Sequence, residues 1–282
     1  MKFIHTFWSK PLLNNKFCEF NVSLNIILQN YMYSYICLHN FGERVVLYTD
    51  KYGAELLSHI PYDDVIIVDG LDNNSEHFAA QIKFIALQDC ELGDAIIDGD
   101  LFVQKEEALN IIKTTPVDII YSFFEPSQYT VKNMENYYYR LIKTLSKYEY
   151  DEPYALPVNW NDLNWMNTSL LKINNEQLRQ EYIKQYNKHK QMLNNENFEE
   201  CWPDIIIEQY FLTLLCSNKY TSYPVIDNFY FDPNANDYAL EIGFTHLGSA
   251  KHTHYEIFRE KLQNADEYMY NKCIEQYNKY KK

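Results

Sequence analysis

Apolar residues recur along this chain in two patterns that alternate from its start. Short β-branched and aromatic runs are typical of buried strands, whereas apolar residues spaced three and four apart predict helices. In the first hundred residues the predicted strands cover 2–8, 44–50, 64–69 and the run that ends at Asp98. The predicted helices cover 21–41 and about 75–88, and Gly42 is the C-terminal cap of the first of them. This alternation indicates βαβ units and a largely parallel sheet.

The pattern is less regular in the second half of the chain. Strand-like segments are predicted at 117–123, 164–174, near 221–231 and at 239–244, and helices at 132–147, 176–194, 204–216 and from about 253. No linker rich in Gly, Pro or Ser separates these elements. We therefore predict an α/β fold, a Rossmann-type mixed sheet flanked by helices, in one domain over 1–252. Residues 253–282 would form a C-terminal helical extension of that domain.

Composition narrows the class of protein. The net charge of −14 argues against nucleic acid as a partner, because binding to a phosphate backbone needs a basic face. The six Cys residues form no CxxC pair, which predicts buried, reduced thiols and a cytosolic compartment. The start of the chain does not match a signal peptide, and no apolar run approaches the ~20 residues of a membrane span. We therefore expect a soluble, cytoplasmic protein.

The segment "GDAIIDGDLFV", residues 93–103, places two acids between apolar runs. In an extended segment residues i and i+2 point the same way, so Asp98 and Asp100 can present oxygens to one Mg²⁺ or Mn²⁺ ion. Such strand ends border the ligand crevice of open α/β sheets. With only 7 Gly the chain has no glycine-rich phosphate loop, so something else must hold a bound phosphate, and such an ion could do so. The alternative is that one acid caps a turn and the other is solvated.

Three further segments follow the acid pair in order. The four segments are "IIDGDLFV" (96–103), "WMNTSLLKIN" (165–174), "IIIEQYFLTLL" (205–215) and "FTHLGSAKH" (244–252). Over about residues 2–252 this series resembles glycosyltransferases with the GT-A fold, in particular glycosyltransferase family 8 and its bacterial relatives. The chain departs from the family at Ser169, where a Gly is usual, and at Tyr210, where an acid is frequent. Its late HxGxxK motif is one residue shorter than the family form.

The resemblance implies a role for each matching residue. The implied metal ligands are Asp98, Asp100 and His246, and the implied diphosphate ligands are Lys83, Gly248 and Lys251. The implied catalytic and sugar-binding residues are Asn167, Glu208 and Gln209. The residues placed at the nucleoside base are Thr6, Trp8 and Asp50. Lys83 would steady either the metal-binding acids or the phosphates, and His252 and His254 are alternatives to His246. Each of these residues also has a purely structural interpretation, as a solvated or hydrogen-bonded side chain.

The function that the resemblance implies is metal-dependent transfer of a sugar from a nucleotide sugar, a UDP-sugar, to a glycan or lipid-linked acceptor. Retention of configuration is preferred, and in an inverting enzyme Glu208 would be the base. One rival is a haloacid-dehalogenase-like phosphatase, although its acid pair normally follows the first strand rather than the fourth. The other is a non-catalytic module that binds a nucleotide sugar or carbohydrate.

The C-terminal helix ends in "NKCIEQYNKYKK", a basic segment on an acidic chain. We hypothesise that this end contacts an anionic membrane surface on the cytoplasmic side, where each Lys would contribute up to ~1 kcal/mol. The alternative is a solvated terminal helix with frayed basic residues.

Overall fold

A mixed sheet of eight strands flanked by helices forms the body of the protein. The structure, a computed structural model, describes residues 1–14, 20–71, 78–126, 143–150, 154, 164–193, 203–217, 219–227, 234–247 and 251–281. The strands are β1 (Phe3–Phe7), β2 (Val45–Thr49), β3 (Asp64–Ile67), β4 (Ala95–Ile97), β5 (Leu101–Val103), β6 (Ile119–Pro126), β7 (Asn164–Met166), β8 (Leu170–Ile173), β9 (Ser222–Ile226) and β10 (Phe244–His246).

Helices alternate with these strands in the first half of the chain and cluster towards its end. They are α1 (Ser9–Asn14), α2 (Phe20–His39), α3 (Lys51–Leu56), α4 (Gln81–Asp89), α5 (Glu106–Thr114), α6 (Glu176–Leu193), a π-helix (Ile205–Tyr210) that continues into α7 (Phe211–Cys216), α8 (Ala235–Ile242), α9 (Lys251–Ala265) and α10 (Glu267–Tyr280). No helix among the described residues is long and apolar enough to cross a membrane.

The order of the strands determines which side chains meet. The main sheet runs β3-β2-β1-β4-β8-β6-β7, with β9 paired to β6, while β5 and β10 form a separate two-stranded sheet. Strands β1, β2, β3 and β4 are parallel, and β4 pairs with β8 in the antiparallel sense. The carboxyl ends of β1, β2 and β4 therefore lie along one edge, where open α/β sheets bind ligands.

The sheet is buried on both faces, which explains why its central strands are apolar at nearly every position. Successive residues of a strand point to opposite faces. On β1, Phe3 therefore belongs to the same core as Leu24 and Leu28 of α2, whereas Ile4 belongs to the other core, which contains Phe84 of α4. The two cores leave the sheet edge, rather than either face, as the place for polar side chains.

Most of the predicted elements are confirmed, and Gly42 adopts a positive φ of 74° after the end of α2. The strand predicted at 239–244 is wrong. Ala235, Ala239 and Ile242 lie on one buried side of helix α8, and only the last residue of the predicted segment is in β10. The single strand predicted at 164–174 is divided by a turn, and α5 was not predicted. Most of the helix predicted at 132–147 lies outside the described residues, as does the end of the 221–231 segment.

The C-terminal segment contains two helices rather than one. Asp266 separates them, because its side chain accepts a hydrogen bond from the backbone N–H of Met269 at 3.0 Å and so caps α10. Helix α10 packs on α2 through the buried thiol of Cys273, and Gln276 donates to the carbonyl oxygen of Leu56 at 2.9 Å. Four of the six predicted thiols lie among the described residues, and all four are buried and free.

A buried histidine ties the first strand to its neighbours. His5 is fully buried, and its ring nitrogens contact the hydroxyls of Tyr62 at 2.9 Å and Ser34 at 3.0 Å. Ser34 donates its own proton to the carbonyl oxygen of Leu101 at 2.6 Å, so Nε2 of His5 must be the protonated nitrogen. Burial lowers the pKa of His5 to about 3, and the ring is therefore neutral in the folded protein.

This burial makes stability depend on acidity. The unfolded chain binds a proton at this residue near pH 6.5, whereas the folded chain binds it only near pH 3, so stability is lost as the pH falls below 6.5. We expect His5 alone to lower the free energy of unfolding by about 2 kcal/mol between pH 7 and pH 5. Urea unfolding of wild type and His5→Asn at both pH values measures this, and equal pH dependence of the two proteins would contradict it.

Candidate metal and ligand site

The acid pair lies where β4 ends, at the ligand-binding edge of the sheet. Asp98 and Asp100 flank Gly99 in the turn that leads from β4 to β5. Backbone bonds hold the turn on two sides, since the N–H of Asp98 donates to the carbonyl of Ser169 at 2.7 Å and the N–H of Leu247 donates to the carbonyl of Asp100 at 3.0 Å. The carboxylates are therefore fixed to β8 and β10 through their own backbone.

A third candidate ligand reaches this turn from a distant part of the chain. β10 pairs with β5 so that His246 lies opposite Leu101, beside the acid pair. Its Nε2 lies 3.6 Å from Oδ1 of Asp100, and one ligand atom each of Asp98, Asp100 and His246 lies within 4.8 Å of the others. These are the three residues that the resemblance implied as metal ligands.

The chemistry of the three side chains fits a divalent cation. Two ligand atoms that each lie about 2.1 Å from one such ion are up to about 4.2 Å from each other. The ligand atoms of the three side chains lie within 4.8 Å of one another, which is close to that value. Mn²⁺ accepts both carboxylate and imidazole ligands, whereas Mg²⁺ favours oxygen alone. Of these two ions, the donor set therefore fits Mn²⁺ better.

Lys83 of α4 bridges the acid pair to the π-helix. Its Nζ lies 2.9 Å from Oδ1 of Asp98 and 3.0 Å from Oε1 of Glu208, and it donates to the carbonyl of Thr168 at 3.1 Å. An ammonium group has three N–H bonds, and all three are used. Burial by itself lowers the pKa of Lys83, but Asp98 and Glu208 outweigh it and raise that pKa. A contact between Lys83 and a phosphate would require one of these bonds to break.

A cleft of about 300 Å³ opens beside this bridge. Thr6 and Trp8 line it from the end of β1, Lys83 and Asp98 from the centre, and Gln209 from the π-helix. Two buried polar atoms in the lining, Nε1 of Trp8 and Oε1 of Gln209, have no hydrogen-bond partner in the described structure. Such atoms normally have a partner, so an indole donor and an amide acceptor are available to a polar ligand.

The π-helix and the residue before it place two acids, Asp204 and Glu208, in the cleft. A π-helix bonds residue i to i+5, so residues four and five apart share a side, and Asp204, Glu208 and Gln209 all line the cleft. Asp204 accepts a hydrogen bond from the N–H of Ala80 at 2.7 Å. Burial raises the pKa of Asp204 to about 8, and Glu208 adds to that rise, so Asp204 is protonated at neutral pH.

The other implied site residues lie in different surroundings. Asn167 donates to Oε2 of Glu125 at 2.7 Å and accepts from the N–H of Ser169 at 3.0 Å, so its side chain holds the turn between β7 and β8. Asp50 accepts from the backbone N–H of Ser9 at 3.0 Å and from its hydroxyl, and it lines a neighbouring depression rather than the cleft.

Two implied residues cannot be placed. Gly248 lies outside the described residues, and so does the side chain of Lys251, whose backbone begins α9. The side chains of the alternative ligands His252 and His254 lie outside them as well.

Two of the polar residues that line the cleft, Asp204 and Tyr31, were not predicted. Asp204 precedes Glu208 by four residues in an apolar segment, and an acid at that spacing was a signal that sequence reasoning could have used. Tyr31 of α2 also lines the cleft, but nothing in its own segment distinguishes it from the other Tyr residues of that helix.

Fold and site together define a class: an α/β protein with a carboxylate and imidazole cluster beside a cleft at the carboxyl edge of its sheet. The chain belongs to the family of unknown function DUF6734, which matches residues 1–282. No curated protein matches it.

The protonated state of Asp204 gives a testable consequence. Because its carboxyl binds a proton more tightly when folded, wild-type stability falls as the pH rises from about 4 to about 8. Asp204→Asn keeps an oxygen for the N–H of Ala80 but cannot ionise. We expect its Tm at pH 8 to exceed that of wild type by at least about 2–4 °C, which corresponds to 1 kcal/mol in a domain of roughly this size. Thermal unfolding between pH 5 and pH 8.5 measures this, and parallel Tm curves would contradict it.

Proposed function

We propose that this protein is a metal-dependent glycosyltransferase of the GT-A type, which transfers a sugar from a UDP-sugar to a glycan or lipid-linked acceptor. The observation that carries the proposal is the cluster of Asp98, Asp100 and His246 beside the cleft. Sequence motifs and spatial arrangement support it independently, because His246 is 146 positions beyond Asp100 in the chain and still lies at the acid pair.

The charge of the cleft supports a role for the metal. The carboxylates of Asp98 and Glu208 share the ammonium group of Lys83, and the carboxylate of Asp100 lies beside that of Asp98 in the same cluster. A nucleoside diphosphate would be repelled by this excess of negative charge. A divalent ion bound at the cluster supplies Lewis-acid stabilisation of the charge that develops on the leaving diphosphate.

The described residues divide the remaining tasks. Lys83 orients Asp98 and Glu208, and the free donor of Trp8 and free acceptor of Gln209 offer hydrogen bonds to a bound ligand. Glu208 also accepts a bond from the hydroxyl of Thr168 at 2.5 Å. A base for an inverting reaction needs a carboxylate that can reach the acceptor, and Glu208 is already bound to two partners, which favours retention.

The metal site is tested by nucleotide binding. We expect wild type to bind UDP by isothermal titration calorimetry only when Mn²⁺ is present, and Asp100→Ala to lose at least about tenfold in affinity. The variant should fold, because removing one of two neighbouring acids relieves repulsion between them.

The matched control is Asp237→Ala, which removes an acid at an exposed position of α8. It should bind UDP as wild type does. Equal affinity of wild type and Asp100→Ala would show that the acid pair does not bind the metal.

Turnover separates the proposed function from its rivals. Release of free sugar from a UDP-sugar in the presence of Mn²⁺, followed by NMR, indicates a transferase with water as a substitute acceptor, and the anomer released first reports retention or inversion. Hydrolysis of p-nitrophenyl phosphate without sugar release would indicate a phosphatase. Binding without any turnover would indicate a carbohydrate-binding module.

We also propose peripheral contact between the end of α10 and an anionic membrane surface. Lys279 and Lys281 are exposed there, and their ammonium groups lie 4.7 Å and 5.8 Å from the rings of Tyr280 and Tyr277. Lys272 is paired with Glu275 at 2.9 Å and contributes less.

Charge removal is a better test than truncation, because Cys273 and Gln276 of α10 are buried. We expect Lys279→Gln with Lys281→Gln to reduce co-sedimentation with phosphatidylserine vesicles, since each exposed Lys adds up to ~1 kcal/mol of attraction. The control pair, Lys184→Gln with Lys188→Gln on the exposed side of α6, should pellet as wild type does. Negligible pelleting of all three proteins would leave α10 as a solvated helix.

A further inference from the structure

The glycine between the two acids lies against an aromatic ring. A Cβ atom at Gly99 would lie 2.2 to 2.4 Å from Cε2, Cδ2 and Cζ of Tyr31. Real Cβ atoms do not approach other atoms this closely, so any side chain at this position would displace the ring. The ring of Tyr31 therefore covers the backbone of the turn that carries Asp98 and Asp100.

The ring is fixed in this position by its hydroxyl. Tyr31 Oη donates a hydrogen bond to the carbonyl oxygen of Thr6 at 2.6 Å, at the end of β1. The rings of His5 and Phe7 contact it edge-on, with centroids 5.3 Å and 5.5 Å from that of Tyr31. Three consecutive residues of β1 thus hold Tyr31, which cannot withdraw from Gly99 without losing these contacts.

We propose that Tyr31 is a positioning residue for the metal site: its ring sets the separation of the carboxylates of Asp98 and Asp100. Hydrogen bonds to Ser169 and from Leu247 hold the turn along the direction of the strands, and the Tyr31 ring supports it from the α2 side. This inference rests on the proposed function, because it assigns Tyr31 a role in the affinity of the same cluster for Mn²⁺. It also explains why the residue between the two acids is glycine.

The test measures Mn²⁺ affinity by electron paramagnetic resonance, without any substrate. We expect Tyr31→Ala and Gly99→Ala each to weaken Mn²⁺ binding at least about tenfold, and Tyr31→Phe, which keeps the ring, to stay within about threefold of wild type. The double variant Gly99→Ala with Tyr31→Ala should bind no more weakly than the weaker single variant, because both substitutions disturb the same contact.

Tyr35→Ala is the control for loss of packing. Tyr35 lies on the same helix, is 2% exposed and donates its hydroxyl to the carbonyl of Pro61 at 2.8 Å. This variant should lower the Tm and leave Mn²⁺ affinity unchanged.

The outcomes separate this inference from the proposed function. If wild type binds Mn²⁺ and Asp100→Ala does not, while Gly99→Ala and Tyr31→Ala bind as wild type does, the inference about Tyr31 is overturned and the metal site stands. The same holds if the effects of Gly99→Ala and Tyr31→Ala are additive in the double variant. If wild type does not bind Mn²⁺, both the metal site and the role of Tyr31 are overturned.

Discussion

One buried ammonium group joins helix α4 to three other chain segments beside the cleft. Lys83 comes from α4, and its three N–H bonds end on the acid after β4, on the turn before β8 and on the π-helix. A buried ion pair recovers its desolvation cost only when its hydrogen bonds are complete, and removing one partner typically costs about 3–5 kcal/mol. The side chains of Lys83 and Glu208 are only 13% and 7% exposed, so a shift of any one segment would leave a charge in the interior without its partner.

The same constraint accounts for the form of the helix that carries Glu208. An α-helix over the whole of 204–216 would have 3.6 residues in each turn. The π-helix at Ile205–Tyr210 has more residues in its turn, because it bonds residue i to i+5. Asp204, Glu208 and Gln209 consequently face the cleft together, while Ile206 and Ile207 enter the core. π-Helical segments are frequent at functional sites, and here the local geometry serves the bridge to Lys83.

Local sequence signals predicted the framework of the site and missed the contacts made by distant residues. The apolar runs that end at Trp8 and Asp98 were sufficient to place both residues at one edge of a parallel sheet, because the period of a strand and the order of βαβ units are local properties. The prediction of a strand at 239–244 was wrong because Ala235, Ala239 and Ile242 have helical spacing. The short apolar run at 239–244 is too short to show that spacing. The contact of Tyr31 with Gly99 depends on how α2 packs against the turn, and no pattern within either segment encodes it.

The charge distribution also orders the events that the cleft can support. The carboxylates of Asp98, Asp100 and Glu208 outnumber the ammonium group of Lys83 beside them, and the protonation of Asp204 at neutral pH keeps a further negative charge from adding to them. Lys83 itself has no N–H left for an incoming phosphate. A divalent ion at the cluster would cancel this excess, since its two positive charges and the one of Lys83 equal the three negative charges of Asp98, Asp100 and Glu208. Under the proposed function, this balance predicts that the metal would bind before the nucleotide. The backbone bonds of the acid pair, and the Tyr31 ring in the role proposed for it, would then prepare the site for the first of these two steps.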